Sequence, residues 1–195
     1  LKALWQVMRF KKAAENAKAV IFMDEPSISQ VGSCAFLSVE SKDVIEMLGV
    51  IAADLKKFGA IPGIHCCGKT DWEIALSCGV DIVNFDAYFY AQNVANFANA
   101  AQKFIQNGGY LAFGIVPTLD KEALAALDID KLEEKFNDAL KCFLNKGVDK
   151  DLLLEHTFFT PSCGCGSLDE KGALKALALT KELSLRLKEK CGVKI

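Results

Sequence analysis

The stretch Ile61-Pro62-Gly63-Ile64-His65-Cys66-Cys67-Gly68 combines a strand pattern with two kinds of metal-binding side chain. Its first four residues form a short apolar run, which is typical of a buried strand in a parallel sheet. His65 and Cys67 follow two positions apart, so on an extended segment their side chains project to the same side. The end of this strand therefore presents an imidazole and a thiol together, while Cys66 is expected to point the other way and to pack in the core.

Short apolar runs of the same kind recur along the chain and alternate with segments of helical spacing. Further strands are expected at 19–23, 79–85 and 110–113, and in a region that begins at Leu152 and reaches Pro161. Helices are expected over 44–58, 72–77, 94–106, 129–145 and 168–190. Such alternation predicts right-handed crossovers and a parallel α/β sheet.

The first residues already have a helical pattern and lack an initiator Met, which favours one particular α/β architecture. We expect a single domain over residues 1–195 that forms the carboxy-terminal five or so βα units of a (β/α)8 barrel of the TIM type. In such barrels, as in open parallel sheets, ligands bind beyond the carboxyl ends of the strands. The chemistry should therefore be sought at that edge.

Composition excludes several function classes. The 195 residues are 51% hydrophobic and 25% charged, which is ordinary for one globular domain. With 23 basic and 25 acidic side chains and no basic cluster, nucleic acid is not expected as a partner. No apolar run approaches the roughly 20 residues that span a bilayer, and the first residues do not resemble a secretory signal. We therefore expect a cytoplasmic protein without a membrane partner.

The chain has eight cysteines, and without an export signal they are expected to be reduced. Four stand alone in the sequence and are interpreted as buried or incidental thiols: Cys34, Cys78, Cys142 and Cys191. The other four belong to two short segments at the ends of strands, which points to metal binding or catalysis.

The second of these segments, Pro161-Ser162-Cys163-Gly164-Cys165, follows the last expected strand. A parallel sheet brings it to the same edge as His65 and Cys67. With Cys163, these two residues form a candidate set of three ligands for tetrahedral zinc, and Asp86 at the end of the next strand is a candidate fourth. Two alternatives remain open: Cys165 replaces Cys163, or Asp86 orients His65 without binding the metal.

These residues together resemble the carboxy-terminal catalytic domain of cobalamin-independent methionine synthase. More broadly, they resemble the superfamily that joins this enzyme to uroporphyrinogen decarboxylase and to methylcobamide:coenzyme M methyltransferases. The resemblance covers nearly the whole chain and rests on Asp24-Glu25-Pro26, His65-Cys66-Cys67, Asp86 and Pro161-Ser162-Cys163-Gly164. It implies a (β/α)8 barrel with zinc bound by His65, Cys67, Asp86 and Cys163, although the family has Glu where this chain has Asp86.

The resemblance also implies a function, namely zinc-dependent transfer of a methyl group to a substrate thiol that is activated as a zinc thiolate. A methylated corrinoid on a partner protein is a candidate donor. Asp24, with Glu25 beside it, is the candidate for substrate binding, although a solvated turn before Pro26 would have the same sequence. The family's proton-donating His has no counterpart in 114–117, so no catalytic residue is assigned.

Two other functions are compatible with the same superfamily. One is a decarboxylase of the uroporphyrinogen type, which needs no metal, but no Arg lies near the expected strand ends to bind porphyrin carboxylates. The other is a non-enzymatic module that handles a corrinoid or a metal. His156, which lies in a strand-like run, is interpreted as a structural residue.

Overall fold

The computed structural model describes residues 2–14, 16–31, 39–68 and 70–190. Its strands are β1 (Ala19–Asp24), β2 (Ala60–Cys66), β3 (Ile82–Asp86), β4 (Tyr110–Val116) and β5 (Thr157–Pro161). The helices are α1 (Lys2–Ala13), α2 (Ser41–Lys57), α3 (Trp72–Ser77), α4 (Ala87–Ala95), α5 (Ala98–Gln106), α6 (Lys121–Ala126), α7 (Ile129–Leu144), α8 (Lys150–Glu155) and α9 (Glu170–Lys190). Short 3₁₀ turns occur at Pro26–Gln30 and Cys165–Ser167.

The five strands form one sheet in the order β1-β2-β3-β4-β5, and every neighbouring pair is parallel. This confirms the prediction of a parallel sheet that alternates with helices. Because each strand pairs with the next one in sequence, right-handed crossovers place the connecting helices on the same face of the sheet. Because all five strands run in the same direction, their carboxyl ends lie at one edge of the sheet.

An aromatic core joins the helix-covered face of the sheet to helix α7. Phe85 of β3 and Phe113 of β4 are fully buried, and their ring centroids lie 4.9 Å apart. Phe143 of α7 packs against both rings, and Phe136 of α7 contacts Phe113 edge to face. Pairs of this kind contribute about 0.5–1.5 kcal/mol each beyond the burial of their surface. They hold the middle strands rigid beneath the edge that carries the polar side chains.

The opposite face of the sheet is more open to solvent at its two outer strands. Val20 and Phe22 of β1 and Phe158 of β5 are each more than 40% exposed. Phe22 lies over Gly63 of the neighbouring strand, where an added Cβ would come within 2.5 Å of the phenyl ring. Since His65 is two residues beyond Gly63 on β2, its side chain projects from this open face.

Two parts of the chain differ from the prediction. The run Leu152–Leu154 belongs to helix α8, because the carboxylate of Asp149 accepts a hydrogen bond from the Leu152 N–H and starts a helix there. A short apolar run has no periodicity that separates a strand from a buried helix. The expected helix over 94–106 is two helices, α4 and α5, and α4 begins directly after Asp86.

None of the helices within the described ranges is long and apolar enough to span a bilayer.

Candidate metal centre

His65, Cys67 and Cys163 lie together at the carboxyl edge of the sheet. A ring nitrogen of His65 and the two Sγ atoms are all within 4.8 Å of one another. Atoms bound to one tetrahedral zinc ion at about 2.0–2.3 Å are separated by roughly 3.3–3.8 Å, so a shift of at most about 1–1.5 Å brings all three to one ion. Across the part of the chain that the structure describes, no other group of His, Cys, Asp or Glu meets this condition.

Strand β2 delivers His65 to this edge between two polar neighbours. In the register of the sheet, His65 pairs with Asp24 of β1 on one side and with Asn84 of β3 on the other. Its carbonyl oxygen accepts a hydrogen bond from the Glu25 N–H at 3.1 Å, which ties the end of β1 to β2. The backbone at His65 is therefore fixed on both sides.

The two ring nitrogens of His65 have different surroundings. Nδ1 lies 2.5 Å from Oδ1 of Asn84, whereas Nε2 is buried and has no hydrogen-bond partner among the described residues. A buried polar atom without a partner costs about 1–3 kcal/mol, so such atoms usually have a ligand or an ordered water. Since Nδ1 already faces Asn84 and two thiol sulfurs lie near the ring, Nε2 is the nitrogen that is free to bind a metal such as zinc, which binds nitrogen and sulfur.

Asn84 is a functional candidate that the sequence analysis missed. It is only 8% exposed, and its Nδ2 donates to the carbonyl oxygen of Ala112 and to Oγ1 of Thr160, each at 2.8 Å. A polar residue in the otherwise apolar run Ile82–Phe85 is the sequence feature that marks it. Its partners on β4 and β5 are distant in sequence, so its contact with His65 depends on the register of four strands.

Cys163 is positioned by the packing of the loop after β5 against the end of β4. The neighbouring Ser162 is almost fully buried, and its N–H donates to the carbonyl oxygen of Val116 at 2.8 Å. Its Oγ accepts a hydrogen bond from the Thr118 N–H at 3.2 Å. Gly114 permits this approach, because a Cβ there would lie 2.8 Å from the Cα of Ser162. These contacts bring Cys163, rather than Cys165, into the group with His65 and Cys67.

The repulsion that would arise between thiolates at Cys67 and Cys163 favours a bound cation. Burial raises the pKa of Cys67 above its ordinary value, and the adjacent Cys163 raises it further because two thiolates would repel. The charge of Asp86 acts in the same direction. A divalent cation between the sulfurs would remove this repulsion. Cys67 is exposed and Cys163 is half-buried, so an ion can reach the site from solvent.

Asp86 lies outside the group of three ligands, although it is near enough to influence Cys67. It is 4% exposed, and its carboxylate accepts a hydrogen bond from the Phe89 N–H at 3.0 Å, which caps helix α4. Burial raises the pKa of Asp86, and the hydrogen bonds from the backbone of Phe89 and Tyr88 oppose this rise. One alternative role for Asp86 is to orient His65 through a hydrogen bond to its ring. In the structure, Asn84 makes that hydrogen bond. Direct binding of a metal by Asp86 stays a prediction.

The remaining cysteines divide as their sequence positions suggest. Cys66 is 2% exposed within the hydrophobic core, which confirms that it packs there, and burial raises its pKa to about 11. Cys78 is likewise buried, and Cys142 is half-buried. Cys34 and Cys191 lie outside the described residues.

The acidic pair Asp24 and Glu25, at the end of β1, lies at the same edge as the candidate ligands. Asp24 is the last residue of β1, is exposed and is in register with His65, so its side chain is on the open face. Glu25 is half-buried, and its carboxylate accepts a hydrogen bond from Ser27 at 3.3 Å. Their role in substrate binding stays a prediction.

His156 lies at the other end of the sheet. Its Nδ1 donates to the carbonyl oxygen of Gly109 at 2.8 Å, and its ring packs on Tyr110 with centroids 4.9 Å apart. These contacts support the structural interpretation of this residue.

Comparisons with known proteins supply no family. No family model matches the chain, and no curated protein matches it. Among solved structures, the crystal structure of an uncharacterized protein is 15% identical to this chain with a TM-score of 0.46. That match covers 93% of this chain and 42% of the solved chain, so this chain spans less than half the length of the protein it matches.

Proposed function

We propose that this protein is a zinc-dependent methyltransferase whose acceptor is a substrate thiol. The observation that supports this most directly is the convergence of His65 and Cys67, at the end of β2, with Cys163, which follows β5. One imidazole and two thiolates are a donor set that zinc favours over magnesium or calcium, which prefer oxygen. Three protein ligands also leave one position of a four-coordinate ion for the substrate.

The residues at this edge would have different roles in the reaction. His65, Cys67 and Cys163 would hold the ion, and a bound zinc would supply the chemistry of converting an incoming thiol to its nucleophilic thiolate at neutral pH. The exposure of Cys67 gives the substrate an open approach from solvent. Two thiolate ligands would also lower the net positive charge of the centre, which favours a bound sulfur that remains reactive.

The acidic residues after β1 would bind the cationic part of the substrate. Asp24 is in register with His65 on the neighbouring strand, and neighbouring strands are roughly 4.8 Å apart. An exposed carboxylate on the neighbouring strand can pair with an ammonium group on a molecule whose sulfur occupies the fourth position of the metal. We therefore propose an amino-thiol as the acceptor, bound by Asp24 with Glu25 beside it.

The donor and the complete architecture are further parts of the proposal. A methylated corrinoid carried by a partner protein is the proposed methyl donor. The consecutive order of the five parallel strands, with solvent-exposed apolar side chains on the face opposite the helices, supports a sheet that is part of a (β/α)8 barrel. We also propose a cytoplasmic location, where the thiols of a metal centre such as this one would stay reduced.

The test combines metal analysis with a methyl-transfer assay. The chain is loaded with zinc, and the bound metal and the methylation of a small thiol by methylcobalamin are measured. We expect about one zinc per chain and thiol methylation. In Cys163→Ser, zinc binding should be weakened or lost and methylation lost, whereas the matched control Cys165→Ser should keep both. Failure to bind zinc would contradict the proposal. Zinc binding without methyl transfer to any thiol would instead support the metal-handling alternative.

A further inference from the structure

We infer that Asn84 is a positioning residue that fixes the tautomer of His65, so that Nε2 presents its lone pair to the metal. This inference concerns the metal centre and rests on the proposed function only in that zinc is the ion expected there. Residues of four strands contribute to this arrangement. It is determined by which of their groups can donate a hydrogen bond and which can only accept one.

The first step is the orientation of the Asn84 amide. One terminal atom of this side chain lies 2.8 Å from the carbonyl oxygen of Ala112, and a carbonyl oxygen can only accept a hydrogen bond. The atom that faces it must therefore be the NH₂ group, which also reaches Oγ1 of Thr160. The amide oxygen is consequently the atom that faces His65.

The second step is the position of the proton on His65. Nδ1 lies 2.5 Å from the Asn84 amide oxygen, which has no proton to donate. Nδ1 must then carry the hydrogen, because the opposite tautomer would place two lone pairs against each other at that distance. In the neutral ring, Nε2 is left unprotonated. Nε2 is also the buried nitrogen without a partner among the described residues, on a ring that lies within 4.8 Å of the sulfurs of Cys67 and Cys163 through one of its nitrogens.

The third step is what this arrangement contributes to metal binding. A metal binds the unprotonated nitrogen, and a ring already held in the required tautomer and orientation loses less freedom when the ion arrives. Because Asn84 is almost completely buried and is held by β4 and β5, it cannot turn to offer its NH₂ group to His65. Removal of such a supporting group typically weakens metal binding by about 10–100-fold.

The direct test is to observe the tautomer in the metal-free chain. Long-range ¹H–¹⁵N correlation spectra at about pH 8.5, where a free imidazole is neutral, show which ring nitrogen carries the proton. The chain has two histidines, and His156 serves as an internal reference because its Nδ1 faces the Gly109 carbonyl oxygen. We expect both rings to carry the proton on Nδ1. A His65 ring with its proton on Nε2, or one that averages between the two forms, would overturn the inference.

The variant Asn84→Leu removes the acceptor while keeping a side chain of similar shape. We expect His65 to lose its single tautomer, His156 to keep its own, and zinc affinity to fall about 10–100-fold. The matched control Thr160→Val removes a partner of the NH₂ group but leaves the Ala112 carbonyl oxygen to orient the amide, so the His65 tautomer should be retained. An unchanged tautomer and unchanged zinc affinity in Asn84→Leu would contradict the positioning role. If Asn84→Leu does not fold, the spectra of the wild-type chain and of Thr160→Val decide.

The outcomes separate this inference from the proposed function. If the chain fails to bind zinc but His65 carries its proton on Nδ1 and loses this single tautomer in Asn84→Leu, the control of the tautomer by Asn84 is supported and the proposed function fails. If zinc binds but the proton of metal-free His65 is on Nε2, only the positioning role fails.

Discussion

Cys66 and Cys67 are neighbours in sequence but belong to different regions of the molecule. Cys66 is buried in the hydrophobic core with Cys78, and these two are called the core thiols. Cys67 is exposed beside Cys163 and His65, and Cys67 and Cys163 are called the site thiols. The alternation at the end of β2 sends adjacent side chains to opposite faces. The difference shows that the face of the sheet, rather than the residue type, determines whether a thiol packs in the core or lies at the candidate metal centre.

The largest expected effect is on zinc affinity, and it should distinguish Cys67 from its neighbour Cys66. Cys67→Ala removes a ligand, so we expect zinc affinity to fall by more than the roughly 100-fold cost of losing a supporting group. Cys66→Ala should keep the zinc affinity and lower the free energy of unfolding of the metal-free chain by about 1 kcal/mol, because it opens a small cavity. Competitive zinc titration and urea unfolding of both variants measure the two quantities. Zinc loss in Cys66→Ala would contradict the division into core and site thiols.

The next prediction concerns the packing that carries Cys163 to the site. In Gly114→Ala, the new methyl group would lie 2.6 Å from the carbonyl oxygen of Phe85 and 2.8 Å from the Cα of Ser162. Backbone atoms cannot move away as a flexible side chain can, so we expect a loss of about 1–3 kcal/mol in the free energy of unfolding. Zinc affinity should fall as well, because the loop that holds Cys163 must shift.

Gly166→Ala is the matched control for this substitution. An added Cβ at Gly166 has no neighbour within 4 Å, so stability and zinc affinity should change little. If Gly114→Ala matched this control in thermal unfolding and in zinc titration, the close approach of the loop after β5 to strand β4 would not be what positions Cys163.

A smaller effect concerns the pH dependence of stability that the core thiol Cys78 contributes. Burial raises the pKa of Cys78 above its ordinary value of 9.0, so the thiol ionises more readily in the unfolded chain than in the folded one. Stability is therefore complete below about pH 9 and falls as the pH rises above it, by up to roughly 1.4 kcal/mol per pH unit for one thiol. Urea unfolding from about pH 8 to 10.5 should show a shallower decline in Cys78→Ala than in the wild type. Equal declines in the two proteins would exclude this linkage for Cys78.

The smallest expected effect concerns His156, the histidine that lies away from the candidate metal centre. His156→Ala removes a hydrogen bond to the Gly109 carbonyl oxygen and the packing on Tyr110, so we expect a loss of about 1 kcal/mol in the free energy of unfolding. Zinc affinity should be unchanged, because this ring lies at the amino end of β5. A fall in zinc affinity, measured by the same competitive titration, would show that His156 is more than structural.

The parts that could be predicted from the sequence are those set by local patterns. Apolar runs followed by polar residues mark the strand ends, and the spacing of two residues between His65 and Cys67 puts both on one side of the strand. The burial of Cys66 follows from the same alternation. The parallel order of the strands follows from the helices between them.

The parts that could not be predicted depend on contacts between residues distant in sequence. The leucines of α8 were expected in a strand, because a short apolar run fits both structures and only the Asp149 cap separates them. The contact of Asn84 with His65 depends on the register between β2 and β3, and its orientation depends on β4 and β5. The fit of Gly114 against Ser162 depends on how the loop after β5 packs on strand β4, which no local pattern encodes.

The central claim is that His65, Cys67 and Cys163 bind one divalent ion together. X-ray absorption spectroscopy at the zinc edge of the zinc-loaded chain tests it most directly, with Cys163→Ser measured beside the wild type. We predict two sulfur ligands and one imidazole nitrogen in the wild type, and one sulfur or no bound zinc in the variant. A first shell without sulfur, or a sulfur count that Cys163→Ser leaves unchanged, would contradict the claim.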